Sequence, residues 1–290
     1  MFLWAPNVML AFVWAVAPIF AFGLAGESIV RCFQKIPVVL RLIVPAVFGV
    51  PYVLAGSHWS RGNWLVVYLG LPIIVGVLLL HASQSDPQQN GDWRDFAVLA
   101  VLGLAVDLRW LEPAWPAHLS VISKLILLDS ALYGFAVIRQ LTNVGFDLRI
   151  QLKDLVIGLR ELAFFVPIAI PLGLFLGFLK VQQRIPRVSS AALTLVFTLL
   201  FIAVPEEIFF RGWLQNLLER RLGSRFALIV TAILFGLSHF NKRSTQFNWR
   251  YVLLAAIAGI FYGRAWWSRH RVAASAVTHT FVDTIWSLWL

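Results

Sequence analysis

The chain has 290 residues, 60% of them hydrophobic and 13% charged, with a mean hydropathy of +0.79 and a formal net charge of +10. A water-soluble domain is nearer half apolar and a quarter charged, so one compact soluble body is excluded and lipid must solvate many of these side chains. The basic residues stand in short loops between apolar runs, without a glycine-rich phosphate loop or an RNA-binding signature, so the charge speaks for membrane topology and anionic headgroups and not for nucleic acid.

A bilayer span needs about 20 apolar residues. In chain order, the apolar runs predict spans over 3–25, 37–55, 64–82, 119–138, 162–179, 190–210, 225–240, 250–267 and 272–290. The first run is long enough to span and lacks the basic start of a cleaved signal peptide. Cys32, the one cysteine, follows it, cannot form an internal disulfide and reads as an inert thiol. Residues 83–95 are rich in turn formers and form the clearest loop. Segment 96–106, bounded by Asp95, Asp107 and Arg109, is a short, re-entrant or interfacial helix. Over 139–161, Arg139, Arg149, Lys153 and Arg160 alternate with leucines, which predicts an amphipathic surface helix. The fold class is therefore all-α, a polytopic transmembrane bundle of about eight or nine helices. It divides into N-terminal helices with an amphipathic linker over 1–160 and a C-terminal helical core over 161–290.

Basic residues follow nearly every later helix: Lys180, Arg184 and Arg187, then Arg220, Arg221 and Arg225, then Lys242, Arg243 and Arg250, then Arg264, Arg269 and Arg271. They fall on both sides of the membrane, so the positive-inside rule fixes no orientation. No internal repeat is present.

An ionisable residue in a membrane helix costs roughly 2.5–3.5 kcal/mol on insertion scales, so each one is a functional candidate. Glu206, Glu207 and Arg211 follow directly on an apolar run. Glu207 and Arg211 are four apart with the acid first, which places them on one face and favours pairing. Glu206 is turned by about 100° from Glu207 and has no intrahelical cation, which suits a general base. The bland alternative is a helix end reaching the interface with all three solvated. Phe235 and His239 share a face at spacing four, and taken alone His239 reads as a hydrogen-bonded structural group. His279 and Asp283 also share a face, either as a simple ion pair or as an imidazole oriented by a carboxylate. Three successive apolar segments thus carry lone polar groups that must find partners, which predicts that they converge.

E-E-x-x-x-R at 206–211, F-x-x-x-H at 235–239 and H-x-x-x-D at 279–283 resemble the three motifs of the CPBP family, the CAAX prenyl endopeptidases and bacteriocin-processing or Abi-type membrane proteins. P-E-E-I-F-F-R-G-W-L-Q, F-G-L-S-H and A-G-I-F-Y-G-R at 258–264 are similar to the family's wording, and the resemblance covers about 190–290. It implies a glutamic-type intramembrane protease without metal or cofactor, acting on a membrane-anchored protein or peptide. Glu206 would be the base that activates a water and His239 would help to hold it. Glu207 and Arg211 would organise the site, with Phe235 beside them. His279 and residue 283 would stabilise the oxyanion. Asp283 stands where the prenyl endopeptidases tend to carry Asn, and an ionised Asp cannot donate a hydrogen bond. Its role therefore stays open between a protonated donor and a group that orients His279.

Three rival readings compete. A zinc site could use His239, His279 and a carboxylate, although the H-E-x-x-H helix that usually supplies such ligands is absent. A serine protease could use Ser238, after Gly236 and Leu237, with His279, but this leaves Glu206, Glu207 and Arg211 without a role. A non-catalytic immunity factor, scaffold or transporter subunit could bury Glu and His for other reasons. The enzyme is favoured because every polar position of the motif set is filled. Candidate substrates are a leader peptide, a C-terminal sorting or anchor segment, or a prenylated C-terminus. The expected place is a prokaryotic inner membrane, which speaks against prenyl-protein processing.

Overall fold

The computed structural model describes residues 5–56, 64–182, 186–242 and 246–290. Residues 3 and 4 of the first expected span, and Arg184 and Arg243 among the loop basic residues, lie outside the described residues. Within the described residues the chain is helical, with no strand. The helices are α1 (Pro6–Phe33), α2 (Val38–Gly56), α3 (Leu65–Ser85), α4 (Trp93–Asp107), α5 (Val121–Ile138), α6 (Leu152–Phe175), α7 (Val188–Leu222), α8 (Ser224–Leu237), α9 (Trp249–Trp267) and α10 (Val272–Trp289). Six of them, α1, α2, α3, α5, α6 and α7, are long and apolar enough to cross a bilayer. The expected eight or nine spans also include α8, α9 and α10. Of these α8 is apolar but short, while α9 carries Arg250 and Arg264 and α10 carries His279 and Asp283. Large apolar side chains face outward along α7 (Leu193, Val196, Phe197) and α8 (Phe226, Ile229, Ile233), as lipid-solvated faces do.

The chain forms two compact units, Met1–Thr142 and Asn143–Leu290. In the first, Arg139 is buried and saturated. Its Nε and Nη2 donate to Asp95 at 2.8 and 2.9 Å, Nη2 also meets Asp86 Oδ2 at 2.7 Å, and Nη1 donates to the Asp86 carbonyl. A buried guanidinium persists only when its charge and donors are met in this way. Asp92 caps α4. Burial opposes its charge, but the Arg94 N–H, the Ser85 hydroxyl and the Arg94 guanidinium hold its carboxyl below the usual range. Tyr52 stacks on Tyr68 at 4.6 Å, and Trp115 Nε1 donates to the Tyr68 hydroxyl at 2.6 Å.

The expected amphipathic helix over 139–161 does not form as one element: 139–151 is irregular and α6 starts at Leu152. Arg139 is committed to the two aspartates, and Gln140, Asn143 and Gly145 adopt positive φ, which ends any helix there. A Cβ at Gly145 would lie 1.8 Å from the His270 carbonyl oxygen, so only glycine fits where this segment meets Val272, whose N–H donates to Gly145. Asp154 sets the start of α6. It accepts the Gln151 N–H at 2.9 Å and both of its oxygens take Arg271 Nε at 3.1 Å.

In the second unit, α9 packs against α6, α8 and α10, and α10 packs against α6 and α7. The α8–α9 seam is made of small residues. A Cβ on Gly236 would meet the Val252 carbonyl oxygen at 2.5 Å, and one on Gly259 would meet Ala232 at 3.0 Å. Membrane helices lack a hydrophobic drive to associate and rely on such close backbone approach. Gly236→Leu is therefore expected to lower the thermal midpoint of the purified protein in detergent by several degrees. Gly70→Leu, where a Cβ meets nothing within 4 Å, is expected to leave it unchanged.

Candidate active site

The site starts from an irregularity in α7. Pro205 has no N–H to give, and its ring crowds the carbonyl four residues back, at Phe201. The helix absorbs this with wide π turns at Leu199–Ala203 and Ile208–Gln215, a device that recurs at functional sites. Glu206 and Glu207 lie on the short α-helical stretch between the two turns.

Glu207 and Arg211 are fully buried and paired, Arg211 Nη1 donating to Glu207 Oε1 at 2.9 Å. Arg211 Nη2 donates to the Gly259 carbonyl at 3.0 Å, and Gln215 Nε2 reaches the Gly263 carbonyl at 3.3 Å. These two rungs, one helical turn apart, tie α7 to α9. The guanidinium lies over the Phe235 ring at 4.7 Å and near the Tyr262 ring at 5.3 Å, so its charge is met by a carboxylate, a carbonyl and two π faces.

His279, on α10, stacks on Tyr262 with ring centroids 4.5 Å apart and planes at 16°. Its Nδ1 is 2.7 Å from Glu207 Oε1. That contact turns Nε2 toward Glu206 Oε2 at 3.9 Å and Asp283 Oδ2 at 3.5 Å. Glu206 and Asp283 are part-exposed, at 28% each, while the His279 ring is buried. Glu206 Oε2, Thr280 Oγ1 and Thr284 Oγ1 have no hydrogen-bond partner among the described residues.

His239 lies just past the end of α8, where its Nδ1 is 2.8 Å from the Phe235 carbonyl. A carbonyl only accepts, so Nδ1 carries the proton and Nε2 presents a lone pair. That lone pair is 3.3 Å from Lys242 Nζ, which in turn is 3.7 Å from Glu206 Oε1. Arg211, on the same helix as Glu206, is committed to Glu207, and Lys242 approaches Glu206 from beyond the end of α8.

Ser238 donates to the same Phe235 carbonyl at 2.8 Å. Its neighbour His239 Nδ1, at 3.1 Å, is already a donor, so nothing here takes a proton from the hydroxyl. Ser238→Ala is accordingly expected to leave any cleavage by this protein intact. A variant inactive in the cleavage assay yet folded would restore the serine reading. Among the described residues, no three His, Cys, Asp or Glu side chains are arranged to hold a metal ion.

Beside these groups lies a pocket of about 80 Å³, open on one side. Phe165, Ala169, Phe178, Tyr251, Leu254 and Trp286 give it an apolar wall, and His239, His279 and Asp283 supply its polar edge. All seven residues singled out from the sequence, Glu206, Glu207, Arg211, Phe235, His239, His279 and Asp283, are connected in this one region. Sequence reasoning passed over Lys242, Tyr262 and Gln215. Gln215 carries a signal, since it continues the spacing of four from Glu207 and Arg211. Tyr262 falls in the glycine-spaced helix that resembled the family, but nothing in its own surroundings marks it. Lys242 looks like any loop lysine.

The apolar helices make the chain an integral membrane protein, with a connected Glu–Arg–His–Asp network in its second unit. Residues 188–285 match the family model described as type II CAAX prenyl endopeptidase Rce1-like, and this segment is an Rce1-like domain of the CPBP family. The match runs from the start of α7 into α10 and takes in all three motifs. No curated protein and no solved structure matches the chain.

Proposed function

We propose that this protein is an intramembrane endopeptidase of the glutamic type, acting on a membrane-anchored protein or peptide. Glu206 is the general base, and His239, whose Nε2 faces Lys242, helps to hold the attacking water at this place. Glu207 and Arg211 fix the frame, Glu207 aims His279 through Nδ1, and Asp283 orients the same ring through Nε2. His279 faces the oxygen that becomes negative when the carbonyl is attacked, and Phe235 packs between the two imidazoles. The apolar cavity receives the substrate segment next to the scissile bond, and removal of a C-terminal sorting or anchor segment is one fitting reaction. The observation that carries the reading is that Glu206 lies 3.9 Å from His279 and shares Lys242 with Nε2 of His239. One carboxylate is thus linked to two imidazoles from two other segments, to His279 directly and to His239 through Lys242.

The test is co-expression with a panel of membrane-anchored reporters. The wild type is expected to cleave one of them, and Glu206→Gln and His239→Ala to leave it intact while accumulating in the membrane as folded protein. Normal cleavage by Glu206→Gln contradicts the proposal.

A further inference from the structure

Carboxylates crowd the site where the proposed reaction develops a further negative charge. Glu206, Glu207 and Asp283 are three carboxylates around His279, and Arg211 is the cation on the same helix as two of them. Arg211 is fully buried, with Nη1 on Glu207 and Nη2 on the Gly259 carbonyl. Tyr262 covers the outer face of His279 and brings no charge. An ionised Asp283 accepts hydrogen bonds and cannot donate one. A tetrahedral intermediate carries a negative oxygen, and preorganised donors aimed at that charge are usually the largest catalytic contribution.

Lys242 meets this need. Its side chain is 37% exposed at the rim, yet its ammonium is aimed inward by Glu206 Oε1 at 3.7 Å and His239 Nε2 at 3.3 Å. Its backbone is pinned too: its N–H donates to the His239 carbonyl at 3.2 Å, and Asn248 Nδ2 donates to its own carbonyl at 3.2 Å. Asn248 also donates its N–H to the Phe240 carbonyl and accepts the Tyr251 N–H at the start of α9. An ammonium has three donors. One faces His239 Nε2 and Glu206 is within ion-pair distance, so a donor is left for a third acceptor at the same place.

We propose that Lys242 is a further catalytic residue of the reaction set out above, on which this inference rests. Its ammonium holds Glu206 and His239 to one point and donates to the carbonyl oxygen of the scissile peptide as that oxygen becomes negative. In the first step, a water O–H bond breaks toward the Glu206 carboxylate, the water oxygen bonds to the carbonyl carbon, and the carbonyl π pair moves onto the oxygen facing Lys242. In the second, the pair returns, the C–N bond breaks, and the proton on Glu206 passes to the departing amine nitrogen.

The test uses the full-length protein in lipid nanodiscs. On a reporter that the wild type cleaves, Lys242→Met is expected to lower kcat about 100-fold with KM unchanged, and Lys242→Arg to restore most of the rate. Wild-type turnover by Lys242→Met overturns the inference, whereas wild-type turnover by Glu206→Gln overturns the reading beneath it. A second measurement needs no substrate. In ¹⁵N spectra of labelled histidine, Lys242→Met is expected to move the His239 Nε2 resonance and to leave His279 in place. An unmoved Nε2 resonance overturns the inference whatever the reporters show.

Discussion

Arg211→Met is expected to lower the stability of the folded protein by about 3–5 kcal/mol, because it removes the guanidinium partner of a fully buried Glu207 and leaves His279 as the contact to that carboxyl group. The cost is not that of one ion pair. Arg211 also supplies a donor to the Gly259 carbonyl and a cation beneath the Phe235 and Tyr262 rings, so the substitution loosens the α7–α9 contact as well. Glu207→Gln in the same chain is expected to return part of the loss, since a neutral partner removes the buried carboxylate that lost its guanidinium. The measurement is the thermal midpoint in detergent for the two single variants and the double variant. Additive losses would mean that the two side chains are not coupled, against the 2.9 Å bond between them.

Glu206→Gln is expected to lower cleavage by about 10²–10⁴-fold, the range a positioned general base contributes. The amide has the same shape and still accepts a hydrogen bond, but it cannot take the proton that a water must lose. Glu206 is part-exposed and lies outside the Glu207–Arg211 pair, so the variant is expected to fold like the wild type. Loss of activity with an unchanged thermal midpoint separates this residue from Arg211, whose replacement acts on the frame. An equal fall in both activity and midpoint would reassign Glu206 to structure.

Spacing within one helix proved the most legible level of the sequence. Residues four apart share a face whatever surrounds them, and all three pairs read that way are in contact: Glu207 with Arg211 at 2.9 Å, His279 with Asp283 at 3.5 Å, and the Phe235 and His239 rings with centroids 4.9 Å apart. The convergence of three apolar segments was legible for a related reason, since polar groups under lipid have few places to go. Contacts between segments were not legible. Lys242 approaches Glu206 where Asn248 bonds back to the Phe240 and Lys242 carbonyls, and no periodic pattern records that. Tyr262 is hidden among other aromatic residues of α9 and gains its place only from the stacking with His279. The 139–151 stretch misled because alternating leucines and basic residues fit a helix, while the partners of Arg139 at Asp86 and Asp95 lie far away in sequence.

The most direct measurement of the central claim is single-turnover cleavage of a membrane-anchored reporter in nanodiscs, with both product termini identified by mass spectrometry. The account predicts one hydrolysed peptide bond with the wild type and essentially none with Glu206→Gln at equal amounts of folded protein. The same products at the same rate from Glu206→Gln would contradict it.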